Sequence, residues 1–214
     1  MISITRAELS PNWASDAATA PAVAVLMHGY GSNERDLTAL VPALGFTLPW
    51  VSLRAPVELG DDAACWFPIV SPGDPDEAPV REATDAVWDW VDTRVGPAAQ
   101  VIPIGFSQGG LMVSQLLRTR PERVLAPVVL GGFVLGSPQP GDAQLAEQLP
   151  PLFWGRGAED RVITTAAVER TAEFLPKHST LTRRLYPGLA HSINVEELSD
   201  VRDFLGVRLG GVAG

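Results

Sequence analysis

Cysteine is almost missing from this sequence: Cys65 stands alone among 214 residues, so no disulfide can close within the chain. Histidine is scarce too. Its three copies, His28, His178 and His191, are too scattered for a structural zinc site, and no metal is expected. Positive charge is in deficit, with sixteen Lys and Arg against twenty-five Asp and Glu and a net charge of −9. Such a surface repels phosphate backbones and anionic membranes, so nucleic acid is not expected as a partner. No long apolar run exists either. The longest uncharged stretch, 124–141, is interrupted by Pro127, Gly131, Gly132, Pro138 and Pro140, and reads as a buried strand followed by a loop rather than a spanning helix. No stable membrane insertion is expected. Arg6 and Glu8 stand where a secretory signal needs an unbroken apolar core, and the cytoplasm is the expected location.

What remains is the composition of a globular protein, 46% hydrophobic and 19% charged, at a length that suits a single domain over 1–214. Short apolar runs at 22–27, 51–53, 101–104, 125–130, 152–154 and, more weakly, 181–186 alternate with stretches of helical period. This alternation predicts an α/β fold in which a mostly parallel central sheet carries helices on both faces, and the scarcity of polar alternation suits strands covered twice. Val80, Ala83, Val87, Val91 and Val95 mark one amphipathic helix, with Asp85, Asp89 and Asp92 on its other faces. Leu198, Val201, Leu205 and Leu209 mark another, with Asn194 and Glu197 spaced as a capping pair. Residues 210–214 read as frayed. Pro103 conflicts with the scheme, because proline cannot donate to a central ladder.

The segment Val101–Gly110, ending Gly105-Phe-Ser107-Gln-Gly109-Gly110, places a serine between glycines at the junction of a strand and a helix. That pattern predicts a sharp turn lifting the hydroxyl clear of the sheet, the glycines giving clearance. A serine hydroxyl is a weak nucleophile and needs a base, itself oriented by an acid. Of the three histidines, His28 precedes the serine and a Gly-rich turn, His178 lies in a polar Lys-His-Ser stretch, and His191, after the last strand, completes the order serine, acid, histidine. The acid lies in Gly155–Asp160; Asp160 is favoured over Glu159 because Val162 and Ile163 can anchor its loop, and its alternative role is to cap the helix expected over 164–175. The backbone N–H groups of Tyr30, in His28-Gly-Tyr30-Gly, and of Gln108 are candidate donors to an oxyanion. His28 itself is expected to brace its loop rather than to transfer protons. Trp66 and Phe67 are candidates for an acyl pocket or the core, and Cys65 for packing.

With these residues in place, the sequence resembles the α/β-hydrolases of the phospholipase/carboxylesterase group, which includes the acyl-protein thioesterases. The likeness runs through HGYGSNERDL at 28–37, RAP at 54–56, WF at 66–67, GFSQGG at 105–110, GAEDRVI at 157–163 and YPGLAHSI at 186–193. The resemblance implies an α/β-hydrolase fold and a cofactor-free serine esterase acting on small esters or thioesters through an acyl-enzyme, with Ser107, Asp160 and His191 as its triad. Arg156, Thr164 and the pair Asp61-Asp62 depart from the common pattern and bear on substrate, not on the triad. Because an imidazole base must be neutral, kcat/KM is expected to fall as pH drops through about 6.5. The acidic, Lys- and Arg-free stretch 56–79, if it borders the cleft, disfavours anionic leaving groups by like-charge repulsion and favours neutral or cationic esters; otherwise it is a solvated loop. Short- to medium-chain neutral esters are the expected substrates. An acyl-protein thioesterase or lysophospholipase with a long groove, and a hydrolase-fold binder without turnover, are the alternatives. A homodimer is left open.

Overall fold

A computed structural model describes residues 2–45 and 47–209. In chain order its strands and helices are β1 (Ala7–Leu9), α1 (Trp13–Asp16), β2 (Val23–Met27), α2 (Val41–Leu44), β3 (Trp50–Leu53), β4 (Val57–Gly60), β5 (Ala63–Cys65), α3 (Glu77–Arg94), β6 (Val101–Phe106), α4 (Gln108–Thr119), β7 (Val128–Leu130), α5 (Asp142–Gln148), β8 (Pro151–Gly157), α6 (Thr165–His178), β9 (Thr180–Tyr186) and α7 (Val195–Leu209). Seven strands form one sheet in the order β1-β3-β2-β6-β7-β8-β9, parallel except for β1, which pairs antiparallel with β3. The mostly parallel sheet expected from the alternation is therefore present. The stretch expected to fray, 210–214, lies outside the described residues.

Alternation along the strands divides the interior in two. Val23, Val25 and Met27 of β2 join Val80, Val87 and Val91 of α3, Leu111 and Leu116 of α4 and Leu175 of α6 in one core. Leu26, Ile102, Ile104 and Phe153 face the other way, onto Val41 and Leu44 of α2 and Leu198, Val201 and Leu205 of α7. Helices thus cover both faces, and the central strands are buried throughout. β9 reads more weakly in the sequence because it is an edge strand, exposed along most of its length.

Pro103 sits inside β6, opposite Val25 of β2, without breaking the sheet. The Val101 carbonyl accepts from Leu125 N–H, so by alternation the Pro103 nitrogen faces the β7 side, where the ladder starts only at Ile104↔Val128. For the same reason β7 is shorter than the apolar run 125–130. The antiparallel β1 and the β4–β5 hairpin are additions to the sequence reading. The hairpin turn holds Asp61 and Asp62 at φ 48° and 62°, a left-handed pair that aspartate tolerates better than most side chains. Among the described residues no helix is long and apolar enough to cross a membrane.

Chain order leaves β2, moves outward to β3, and returns past β2 to β6, so the topological switch lies between β2 and β6. In open α/β sheets, crevices form beyond the carboxyl ends of strands at such a point.

Candidate active site

Ser107 is the residue between β6 and α4, at φ 56° and ψ −114°, a strained conformation for a side chain with a Cβ. The turn is held by Ser107 N–H donating to the Leu130 carbonyl at 2.8 Å and by Leu111 N–H donating to the Ser107 carbonyl at 3.1 Å. A Cβ on Gly105 would overlap the Gly109 backbone, and one on Gly109 would overlap the Met27 carbonyl. Both glycines are thus required by close approach, as the sequence pattern suggests.

Two further loops bring the other members. β8 runs into 158–163, where Asp160 Oδ1 accepts from the N–H groups of Val162 and Ile163 at 2.9 and 3.2 Å. Its other oxygen, Oδ2, lies 2.7 Å from His191 Nδ1, and His191 Nε2 lies 2.8 Å from Ser107 Oγ. The Asp160 carboxylate is buried and the imidazole nearly so. Ala158 and Glu159 N–H donate to the carbonyls of Tyr186 and Leu189, each at 2.9 Å, stitching the acid loop to the loop that carries His191. Glu159 points to solvent, and the cap of α6 is Thr164, whose Oγ1 accepts from Ala167 N–H. Glu159 therefore does not meet the imidazole, and Asp160 does not take the capping role that was its alternative. With Nδ1 donating to a carboxylate, Nε2 is free to accept from the hydroxyl, the arrangement that lets a serine lose its proton as it attacks.

Gln108 begins α4, so its N–H has no intrahelical acceptor. The His28–Tyr30 turn follows β2, and its Gly29 backbone runs against Phe106 and Ser107. Among the described residues neither the Gln108 nor the Tyr30 N–H has a protein acceptor. His28 is fully buried; its Nδ1 donates to the Gly29 carbonyl at 2.7 Å and its Nε2 accepts from Ala55 N–H at 3.0 Å. Burial pushes its pKa down, so it stays neutral and braces the turn.

A pocket of about 420 Å³ opens beside Ser107 and His191. Its wall is mostly apolar: Phe67, Ile69, Pro72, Pro75, Phe106, Phe133, Val162 and Ile163, with Tyr30 at the rim. Phe67 is in it, but Trp66 is not; of the two places open to Trp66, the acyl pocket and the core, it takes the core. Trp66 is fully buried in the core, with its indole N–H donating to the His28 carbonyl at 2.8 Å, because a buried indole needs an acceptor and the brace loop supplies one. The side chain of Gln108 completes this support: Oε1 accepts from Trp66 N–H at 2.8 Å and Nε2 donates to the Phe67 carbonyl at 2.7 Å.

The acidic stretch divides. Its apolar part, 67–75, borders the pocket, while no carboxylate lines it. Glu58 and Asp62 are bound instead to Arg54, with Arg6 and Arg35 also on Asp62 and buried Glu34 on Arg54. Like-charge repulsion by these two has no structural basis, since neighbouring Arg54 neutralises both and Arg6 and Arg35, distant in sequence, add to Asp62. Phe106 and Phe133 have no role in the sequence reading, and Ile163 enters it only as an anchor of the acid loop. Phe106 lies in the serine motif and its ring sits 4.8 Å from the His191 ring, but nothing local marks Phe133.

Comparison with known proteins follows the same lines. Esterase PE8 superposes with a TM-score of 0.74 at 24% identity, covering 97% of this chain and 99% of that one. The structure of SOBER1 from Arabidopsis thaliana gives 0.72 at 23% identity, over 88% of this chain and 99% of that one. These likenesses establish the α/β-hydrolase fold. In sequence, Carboxylesterase SOBER1 of Arabidopsis thaliana is 29% identical over 146 residues, 64% of this chain and 62% of the relative, so the match spans less than two thirds of that protein. Acyl-protein thioesterase 1 of Kluyveromyces lactis is 25% identical over 215 residues, 90% of this chain and 94% of its own length. The sequence model described as Phospholipase/Carboxylesterase matches residues 12–209, nearly the whole sheet and every loop that meets at Ser107. On the extent of that match, the chain belongs to the phospholipase/carboxylesterase family.

Proposed function

We propose that this protein is a serine carboxylesterase, acting as a single α/β-hydrolase domain, that hydrolyses neutral carboxylic esters through an acyl-enzyme. The observation that carries the reading is the continuous hydrogen-bonded chain from Ser107 Oγ through His191 to Asp160, at 2.8 and 2.7 Å, at the mouth of an apolar pocket. His191 Nε2 takes the Ser107 proton as Oγ attacks the ester carbonyl. The resulting oxyanion is met by the N–H groups of Tyr30 and Gln108. The imidazolium then gives its proton to the leaving alkoxide, and a water activated by the same nitrogen hydrolyses the acyl-enzyme and regenerates the hydroxyl. Asp160 holds the proton on Nδ1 throughout. The uncharged pocket wall supports an apolar acyl group, the reverse of what an anionic one needs.

Fluorophosphonate labelling provides the first test. The wild-type chain should label stoichiometrically, and Ser107→Ala should not label while keeping its thermal midpoint. A folded wild type that fails to label would favour a hydrolase-fold binder without turnover. A second reading, a thioesterase or lysophospholipase, is supported by the same apolar wall. An optimum at palmitoyl, with thioesters preferred over oxygen esters of equal length, would select it over a short- to medium-chain esterase.

A further inference from the structure

The pocket wall formed by residues 71–75 has no regular structure of its own. Asp74 N–H donates to the Ser71 carbonyl at 3.1 Å, closing a tight turn, and Pro75 is buried. Just upstream, Ile69 and Val70 are 50% and 72% exposed and add little packing. The turn is fastened instead to α6. Gly73 crosses that helix at φ +76°, so close that a Cβ would collide with Thr164 Oγ1. Its carbonyl accepts from Arg170 Nη2 at 2.5 Å. The same guanidinium donates through Nε to the Val134 carbonyl at 3.0 Å, and Val134 N–H donates to Thr171 Oγ1 at 3.0 Å. Val134 directly follows Phe133, another part of the pocket wall. Arg170 does not line the pocket.

A guanidinium is planar, with its donors at fixed mutual distance. One such group bonded to carbonyls of two wall segments fixes how far apart those segments lie. We propose that Arg170 is a positioning residue that sets the acyl-chain length the pocket admits, by tying the 71–75 wall to the segment carrying Phe133. The inference rests on the esterase reading above. Without the tie the turn keeps its internal bond, the burial of Pro75 and the packing of Gly73 on Thr164, but no bond that holds it to the segment carrying Phe133, and the wall can retreat to admit a longer chain.

The full-length protein, with Arg170→Lys and Arg170→Met beside it, would be assayed for kcat and KM on p-nitrophenyl esters from acetyl to palmitoyl. Methionine keeps an apolar stem without donors. Lysine keeps the charge, but its compact ammonium cannot reproduce the two-pronged contact. Every kcat/KM is divided by the acetyl value of the same variant, which removes any uniform loss. Beyond the wild-type optimum, the fall-off with chain length should soften by about tenfold in the methionine variant, mainly through KM, with lysine between. Normalised profiles that superimpose on the wild type would overturn the inference, as would a wild type with no fall-off up to palmitoyl. Should the methionine variant fail to fold, the lysine variant decides by the same ratio. Fluorophosphonate labelling separates the two readings: a wild type that labels, with unchanged profiles in the variants, removes only the role of Arg170. A wild type that neither labels nor hydrolyses removes the esterase reading and this one with it.

Discussion

Asp160 divides its two oxygens between different tasks. Oδ1 is held by the Val162 and Ile163 N–H groups, which leaves Oδ2 aimed at His191 Nδ1 at 2.7 Å. In Asp160→Asn the amide oxygen is still needed by those two backbone donors, so the NH2 turns toward the imidazole. A donor there forces the ring proton onto Nε2, the nitrogen that must accept from Ser107. The expected result is a kcat lower by about 10⁴ on any ester the wild type cleaves, with a thermal midpoint little changed. A loss below tenfold would show that the imidazole does not depend on this carboxylate. Val162 and Ile163, the apolar residues that favour Asp160 over Glu159 in the sequence, anchor the loop through their backbone N–H groups as well as through packing.

At the scale of elements, α4 links the serine turn to the pocket wall. Its first residue, Gln108, offers a backbone N–H beside Ser107, while its side chain satisfies both Trp66 N–H and the Phe67 carbonyl. Truncation in Gln108→Ala leaves two buried main-chain groups unpaired, at about 1–3 kcal/mol each. Urea titration should therefore find the variant less stable by about 2–6 kcal/mol. The backbone N–H of residue 108 is retained, so the variant protein that stays folded should still label with fluorophosphonate. A change under about 0.5 kcal/mol would mean that water replaces the amide at no cost. The capping pair expected for α7 is half formed. Asn194 Oδ1 accepts from Glu197 N–H at 2.8 Å, but the Glu197 carboxyl turns inward and does not return to the cap.

That inward turn matters for the whole molecule. Glu197 is fully buried against Gly155 and neither of its oxygens has a partner among the described residues. Burial, with Asp200 adding repulsion, pushes its pKa up from 4.5 to about 8. The unfolded chain gives up this proton near 4.5, whereas the folded one keeps it to about 8. The native state thus binds one more proton between these values, and stability is full below the window and falls as pH rises through it, by about 1.4 kcal/mol per unit for this group. Above the window both states are ionised and the loss stops. In Glu197→Gln this contribution is absent, so the urea midpoint of the variant minus that of the wild type should increase from pH 5 to pH 8. A constant difference would show that Glu197 is ionised in the fold or that water reaches it.

Local patterns in the sequence were enough for the periods of α3 and α7, the apolar runs of the parallel strands, the clearance glycines around Ser107 and the order serine, acid, histidine. The first three depend on side-chain spacing or on the shape of one turn, which a short segment dictates by itself; the last is a chain order over 84 positions that this architecture uses. Tertiary structure alone decided which atoms meet. It formed β1, three residues long, only because β3 lies beside it; it put Trp66 in the core and Phe67 in the pocket; it brought Arg6 and Arg35 onto Asp62; and it buried Glu197 with no partner among the described residues. The pocket draws its wall from segments separated by more than a hundred residues, and its fastening by Arg170 spans 97 positions between helix and loop. Periodicity says which face of an element is apolar, but burial, charge neutralisation and pocket shape depend on whatever the rest of the chain brings against that face.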